Sequence, residues 1–167
     1  MLKIKNLSYG YTECPSKHLV KNLNFSVEKG KIQLVYGKSG LGKSSLLRLI
    51  SGVGCEKIFW NGKIIFENKD ISHYPIQNRK IGFVMQDRLL FPHFTVFDNL
   101  LFVMPKFLSD KKNIINYNLE KTSMENLSKL YPYQLSGGQT SRIACLRTLL
   151  SFPKAILLDE PFSSLDT

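Results

Sequence analysis

The 167-residue chain reads as an α/β fold, on three observations. Residues 31–36 (Lys-Ile-Gln-Leu-Val-Tyr) form an apolar segment of strand length that runs into a glycine-rich turn, and beyond the turn Leu46, Leu47, Leu49 and Ile50 recur at helical spacing. Residues 155–158 (Ala-Ile-Leu-Leu) are a continuous apolar run, the pattern of a strand buried on both faces, and they deliver Asp159 and Glu160 at their carboxyl end. Alternating apolar and polar residues near the amino terminus add a half-exposed β layer.

Taken in order, residues 2–9 alternate as a strand should, and Tyr9 and Tyr11 lie at its end. Residues 19–27 suggest a second strand, and Glu28-Lys29-Gly30-Lys31 turns the chain into the segment 31–36. Residues 58–69 read as a hairpin with Asn61-Gly62 as its turn. Residues 81–85 are a short apolar strand running into Gln86-Asp87. The stretch 89–102 is unusually apolar for a loop and helix start, which fits either core packing or a surface for a partner. Residues 106–130 are polar with a loose helical pattern through Ile114, Ile115, Leu119, Met124, Leu127 and Leu130. Ser136-Gly137-Gly138-Gln139 then opens an amphipathic helix carrying Ile143, Leu146, Leu149 and Leu150 and ended by Pro153.

The length suits one domain with a sizeable core, and 43% hydrophobic residues exclude a disordered or membrane-spanning composition. No apolar run is long enough to cross a bilayer, and residues 1–25 lack the core of a signal peptide, so a cytoplasmic protein is expected. Cys14, Cys55 and Cys145 are far apart with no C-x-x-C pair, which argues for buried or idle thiols. The net charge of +10 is lopsided: residues 1–86 carry 14 basic against 5 acidic side chains, residues 87–167 carry 9 against 8. Such a basic half can attract nucleic acid or anionic lipid. The lysines are scattered singly, however, and a solvated surface accounts for them.

The turn at residues 37–45, Gly-Lys-Ser-Gly-Leu-Gly-Lys-Ser-Ser, meets the spacing G-x-x-x-x-G-K-[ST] in full. Gly37, Gly40 and Gly42 let the backbone turn its N–H groups inward around an anion. A helix opening at Lys43 adds unpaired amides and the positive end of its dipole. Lys38, Ser39, Leu41 and Ser45 complete the cradle, Lys43 reaches the outer phosphates and the Ser44 hydroxyl is placed to ligate Mg²⁺. Asp159 and Glu160 complement it, one carboxylate supporting Mg²⁺ and the other deprotonating an attacking water. Ser136, Gly137, Gly138 and Gln139 offer a second anion site by the same helix-terminus physics; a plain N-cap on Ser136 is the alternative.

These residues together resemble the nucleotide-binding subunit of ATP-binding cassette (ABC) transporters, from about residue 2 to the end. Residues 37–44 match the Walker A motif, Leu135-Ser136-Gly137-Gly138-Gln139 the LSGGQ signature, Asp159-Glu160 the end of Walker B, Gln86 the Q-loop glutamine, and Ser163-Ser164-Leu165-Asp166 the D-loop. The resemblance implies a P-loop NTPase (RecA-like) core with an amino-terminal antiparallel β layer at 1–86 and 151–167, and an inserted α-helical subdomain at 87–150. It implies a head-to-tail dimer in which the phosphate loop of one protomer and Ser136, Gly137 and Gly138 of the other enclose one ATP. In it Glu160 is the general base, Asp159 and Ser44 attend Mg²⁺, and Gln86 touches Mg²⁺ or the attacking water and reports occupancy to a membrane partner. Tyr11 stacks on adenine, with Tyr9 as the fallback and packing into the β layer as the alternative for either ring. Arg142, just past the signature, is assigned no chemistry.

Residues 79–87, followed by Leu-Phe-Pro-His-Phe-Thr-Val-Phe-Asp-Asn-Leu, resemble the branch whose ATPases serve solute importers. There the counterpart of residues 89–102 receives a helix from the membrane-spanning subunit, so a peripheral position on the inner face of the cell membrane is implied. The family also has a histidine beyond the D-loop. His18, His73 and His93 all precede Asp159 and cannot fill that role; His93 is expected in a loop and the other two exposed. The chain is therefore expected to be incomplete at its carboxyl end, and to bind ATP more readily than it turns it over. Two further functions stay open: a soluble ABC-type ATPase acting on nucleic acid or ribosomes, supported by the basic half alone, and a nucleotide-binding module without hydrolysis.

Overall fold

The computed structural model describes residues 1–14, 16–85 and 90–160. The chain divides into two compact units, Met1–Lys80 and Ile81–Thr167.

The first unit holds β1 (Leu2–Tyr11), β2 (His18–Val27), α1 (Lys43–Ser51), β3 (Ile58–Phe66), β4 (Lys69–Asp70) and the single turn α2 (Ile76–Arg79). Its antiparallel sheet has the order β2-β1-β3-β4. Ile4 stands opposite Phe25 on one side and Ile64 on the other. Leu2, Ile4, Leu7 and Tyr9 are buried with Ile58, Ile64 and Phe66, while the opposite face pairs Lys5 with Lys63. That is the predicted alternation of a sheet with one face covered. Helix α1 buries Leu46, Leu49 and Ile50.

Two expectations fail in this unit. Asn61 and Gly62 make no turn: they lie inside β3, which runs unbroken beside β1. The register slips there between Lys5 and Ser8, with Asn6 at φ 49° and Gly62 at φ 111°. A methyl group on Gly62 would sit 2.7 Å from both the Asn6 carbonyl oxygen and Leu7 Cα. The glycine marks a bulge with close backbone approach. The chain reverses instead at Glu67-Asn68, whose φ values of 49° and 63° suit a two-residue type I′ turn joining Phe66 to its partner Lys69. Residues 31–36 form no strand either, and Ile32, Leu34 and Tyr36 are 98%, 78% and 94% exposed. Apolar patterning shows which residues a strand could bury, but its amides still need a ladder, and among the described residues β2 and β4 end this sheet.

The second unit holds β5 (Ile81–Val84), α3 (Val96–Val103), α4 (Lys111–Lys121), α5 (Gly137–Leu150) and β6 (Ala155–Leu158). Strands β5 and β6 are parallel, with Val84 beside Leu158. The helices share a core that includes Leu100, Ile115, Leu119, Met124, Ile143 and Leu146. The helical reading of 106–130 contracts to α4 and a 3₁₀ turn at Glu125–Leu127. Ser123 takes φ 54°, and Met124 N–H returns to the Leu119 carbonyl at 2.8 Å. On α5 the inward face carries Ala144, while Leu149 is 54% exposed. Nor is β6 covered on both faces: Ile156 and Leu158, which share one face, are 37% and 46% exposed.

The apolar stretch 89–102 divides between its two readings. Val96, Asn99 and Leu100 are buried, whereas Phe102 is 63% exposed and Phe91, Phe94 and Phe102 form an edge-to-face cluster with centroids 5.0 to 5.8 Å apart. Thr95 and Asp98 cap α3 reciprocally. Asn99, fully buried, accepts from Phe91 N–H at 2.8 Å and donates to the carbonyls of Phe91, Phe94 and Thr95 at 3.0 to 3.2 Å.

Arg79, 6% exposed, closes the carboxyl end of α1. Its Nη1 donates to the carbonyls of Leu49 (2.7 Å) and Ile50 (2.9 Å), Nη2 to Ser72 (3.0 Å) and Nε to Tyr74 (2.9 Å). Carbonyls that a helix end leaves unpaired are thus met by a cation at the negative end of the dipole. Gly52, at φ 83°, leaves room for it, since a Cβ there would lie 2.8 Å from Arg79 Nε. Replacing Arg79 with Ala is expected to lower unfolding free energy by about 3 kcal/mol, and Lys, lacking the fork, to restore less than half. Urea unfolding of the three proteins measures this; an Ala variant within about 0.5 kcal/mol of the parent would refute the capping role.

Candidate functional site

Gly40 and Gly42 have φ values of 80° and 83°, the left-handed conformation that the phosphate-loop reading requires. Gly42 is the N-cap of α1 and no side chain caps it. The first amides of the helix therefore lack intrahelical acceptors. Lys43 Nζ donates to the carbonyls of Gly37 and Lys38, both at 2.8 Å, so the ammonium lies across the loop that it follows. Lys38, Ser39, Gly40 and Leu41 are exposed, and Gly37, Lys43 and Ser44 half-buried. Leu41 and Lys43 also line a cavity of about 360 Å³ with Tyr9, Phe25, Leu34 and Tyr36.

The two tyrosines part company. Tyr11 is 46% exposed and shares a hydrogen bond of 3.3 Å with Ser45 Oγ, leaving its ring accessible. Tyr9 is 1% exposed, so it is no alternative stacking surface; strand alternation places it inward. Its hydroxyl donates to the Gly42 carbonyl at 3.1 Å. Burial, and then neighbouring Tyr11, push that hydroxyl up to about 12, which keeps it a donor at neutral pH. Ser45 is buried, its hydroxyl turned to β1, so only its backbone could serve an anion.

In the second unit, Ser136 is the N-cap of α5. Its Oγ accepts from Gln139 N–H at 3.2 Å, and Gln139 Oε1 accepts from Ser136 N–H at 2.8 Å, a capping box without the usual Glu. Thr140 N–H reaches the Ser136 carbonyl at 2.9 Å. Gly137 and Gly138 are the first two helical residues, whose amides a helix leaves unpaired. A Cβ on Gly138 would meet nothing within 4 Å. The capping box uses the amides of Ser136 and Gln139 and leaves those of Gly137 and Gly138 out of it.

Asp159 follows β6 and prolongs its ladder, its N–H donating to Val84 O at 2.9 Å. Both acidic residues therefore stand at the carboxyl end of a parallel strand pair, where α/β sheets bind ligands. Glu160 is exposed and takes φ 47°, a conformation that costs a non-glycine residue energy and gathers at functional sites. Gln86 and Asp166 lie outside the described residues, as do Ser163, Ser164 and Leu165. His18 is half-buried, edge-on to Phe59 at 5.1 Å, rather than exposed; His73 and His93 are exposed. Cys14 is exposed and Cys55 and Cys145 half-buried, all as free thiols.

Among the described residues no cluster of three His, Cys, Asp or Glu side chains could hold a metal. Ser44 carries a hydroxyl and Asp159 a carboxylate, each an oxygen donor of the kind that hard cations take. The sequence reading missed Tyr9 and Arg79 as supports at the two ends of α1. A Tyr at an inward strand position signals a buried hydroxyl that needs a partner, but nothing in the sequence says which.

Among the described residues no helix is long and apolar enough to cross a membrane. The sequence profile described as ABC transporter matches residues 20–163. The chain is 42% identical over 168 residues to the ABC transporter ATP-binding protein YnjD of Escherichia coli K12, covering 99% of this chain and 76% of that one. It is 43% identical over 156 residues to the sulfate/thiosulfate import ATP-binding protein CysA of Neisseria meningitidis serogroup A, covering 89% of this chain but 43% of CysA. It thus spans less than half of that importer protein. The structure resembles the dimeric structure of MJ0796, a bacterial ABC transporter cassette, with a TM-score of 0.82, 29% identity, and coverage of 99% of this chain and 76% of that one. With its phosphate loop, signature helix and carboxylate-ended strand in one chain, the protein belongs to the ABC transporter family, as an ATP-binding cassette of the α/β P-loop NTPase fold.

Proposed function

We propose that the protein is the ATP-binding and ATP-hydrolysing subunit of a membrane transporter, acting as a dimer with two ATP molecules sandwiched between phosphate loop and signature helix. Both units then belong to one ABC ATPase domain. One observation supports the dimer: at Gly138 φ is not left-handed and there is open space around the missing Cβ. That space lets a ligand approach the start of α5 closely, and an oxyanion drawn to the amides of Gly137 and Gly138 suits it.

In this reading the amides of the loop and of α1 take the phosphates, and Lys43 exchanges the Gly37 and Lys38 carbonyls for phosphate oxygens. Tyr11 offers its exposed ring to the base. Ser44, Asp159 and Gln86 would hold Mg²⁺, which would supply charge neutralisation at the phosphates. Glu160 orients and deprotonates water, and Asp166 and the partner's signature helix complete the enclosure. CysA is named a sulfate/thiosulfate import ATP-binding protein; a solute importer is the transporter class proposed here, with the protein peripheral on the cytoplasmic side through membrane-spanning partners. The exposed Phe102, packed against half-buried Phe91 and Phe94, supports such docking. No role with nucleic acid is proposed: the lysines are scattered singly along the sequence, and a solvated surface accounts for them.

Two outcomes test the reading. Lys43→Ala should weaken Mg-ATP binding by about a hundredfold, since it removes a charge-assisted contact to phosphate; calorimetric affinity within threefold of the parent would sink the phosphate-loop assignment. Glu160→Gln should yield a dimer on size exclusion with ATP and a monomer without it, and a monomer under both conditions counts against the sandwich.

A further inference from the structure

The phosphate loop of this protein has a support that lies outside all its motifs. Gly42, the last loop residue, has its carbonyl held by two donors: Leu46 N–H at 2.9 Å, the first bond of α1, and the Tyr9 hydroxyl at 3.1 Å. Tyr9 is fully buried and reaches the loop from β1 across 33 residues of sequence. Its ring also bounds the loop sterically, since a Cβ on Gly42 would lie 3.1 Å from Tyr9 Cε2 and 3.2 Å from Leu19 Cδ1.

The consequence follows from the planarity of the peptide bond. The Gly42 carbonyl and the Lys43 N–H belong to one trans peptide unit and point in opposite directions. A donor that fixes the carbonyl therefore fixes the direction of the amide. The Lys43 amide is the first N–H of α1, has no intrahelical acceptor, and points out of the helix's amino end, the direction from which an anion binds. Gly42 is also a residue whose backbone would otherwise be free to rotate this peptide. Tyr11, two residues on, ties the next stretch of α1 through Ser45 Oγ, but by a side chain and not at the loop peptide.

We propose that Tyr9 is a positioning residue for phosphate: its hydroxyl orients the Gly42–Lys43 peptide so that the Lys43 amide is aimed at the nucleotide's phosphates before binding. The proposal rests on the ATP-binding reading above. Because the effect is on the phosphates and not the base, it extends to any linear polyphosphate.

Calorimetric titration of the 167-residue protein with Mg-ATP and with Mg-tripolyphosphate tests it, using Tyr9→Phe, which deletes only the hydroxyl, and Ile4→Val, a core change on the same strand. Tyr9→Phe is expected to weaken both probes by about fivefold, the scale of one hydrogen bond, and Ile4→Val to leave both unchanged at a temperature where both variants are folded. Unchanged affinities in Tyr9→Phe overturn the proposal. So does an equal loss in both variants, which would make Tyr9 merely structural, and so does a loss for Mg-ATP alone, which would place the effect at the base. If the unsubstituted protein binds neither probe, the ATP-binding reading fails, and this inference with it.

Discussion

A helix cannot pair its own first amides, and the sites of this chain are built on that constraint. The two helices that open on a glycine-bearing turn, α1 and α5, treat it differently. At α5 the side chains of Ser136 and Gln139 close a capping box, so the helix is stable as it stands and keeps only the Gly137 and Gly138 amides for something else. At α1 no side chain caps the helix, and the loop residues 37–42 curl over its end instead. The first arrangement suits a surface that must persist until a partner arrives. The second suits a site whose full stability comes with its ligand, because binding to the folded form alone adds to its stability.

The uncapped helix is held by its neighbours. Arg79 satisfies the carbonyls of Leu49 and Ile50 at one end, and Tyr9 holds the Gly42 carbonyl at the other. Both supports are long, buried side chains with a polar tip, and each reaches backbone and not a side chain. Backbone acceptors cannot be substituted away, so at the two ends of α1 the identities that matter are those of the donors, Arg79 and Tyr9, and of the glycines that leave room for them, Gly52 and Gly42. The strand pair β5–β6 contributes differently: it brings Asp159 and Glu160 to its carboxyl edge by register alone, Leu158 lying beside Val84.

Much of this was legible in the sequence, for a physical reason. The phosphate loop, the signature helix and the acidic strand end are contiguous stretches whose chemistry depends on local backbone, and local backbone is what Gly, Ser and apolar spacing encode. Strands β1, β2 and β5 and helix α5 followed from the same kind of pattern. What could not be read depended on a distant neighbour. The segment 31–36 has a strand's composition and no ladder partner; Asn61-Gly62 has a turn's composition but lies where β1 bulges; Tyr9 and Tyr11 look interchangeable, and share a strand face, until burial separates them, Tyr9 within the strand being covered and Tyr11 at its end remaining exposed. Leu149 carries apolar surface that its helix does not bury.

Asn99 gives the apolar corner of the second unit a mechanical property. One amide side chain holds main-chain groups of Phe91, Phe94 and Thr95 from a position on α3 itself, and Thr95 is also the residue that starts the helix. The corner and the helix are therefore braced through one buried side chain: to move the backbone at Phe91 or Phe94 on its own, one of these hydrogen bonds has to break.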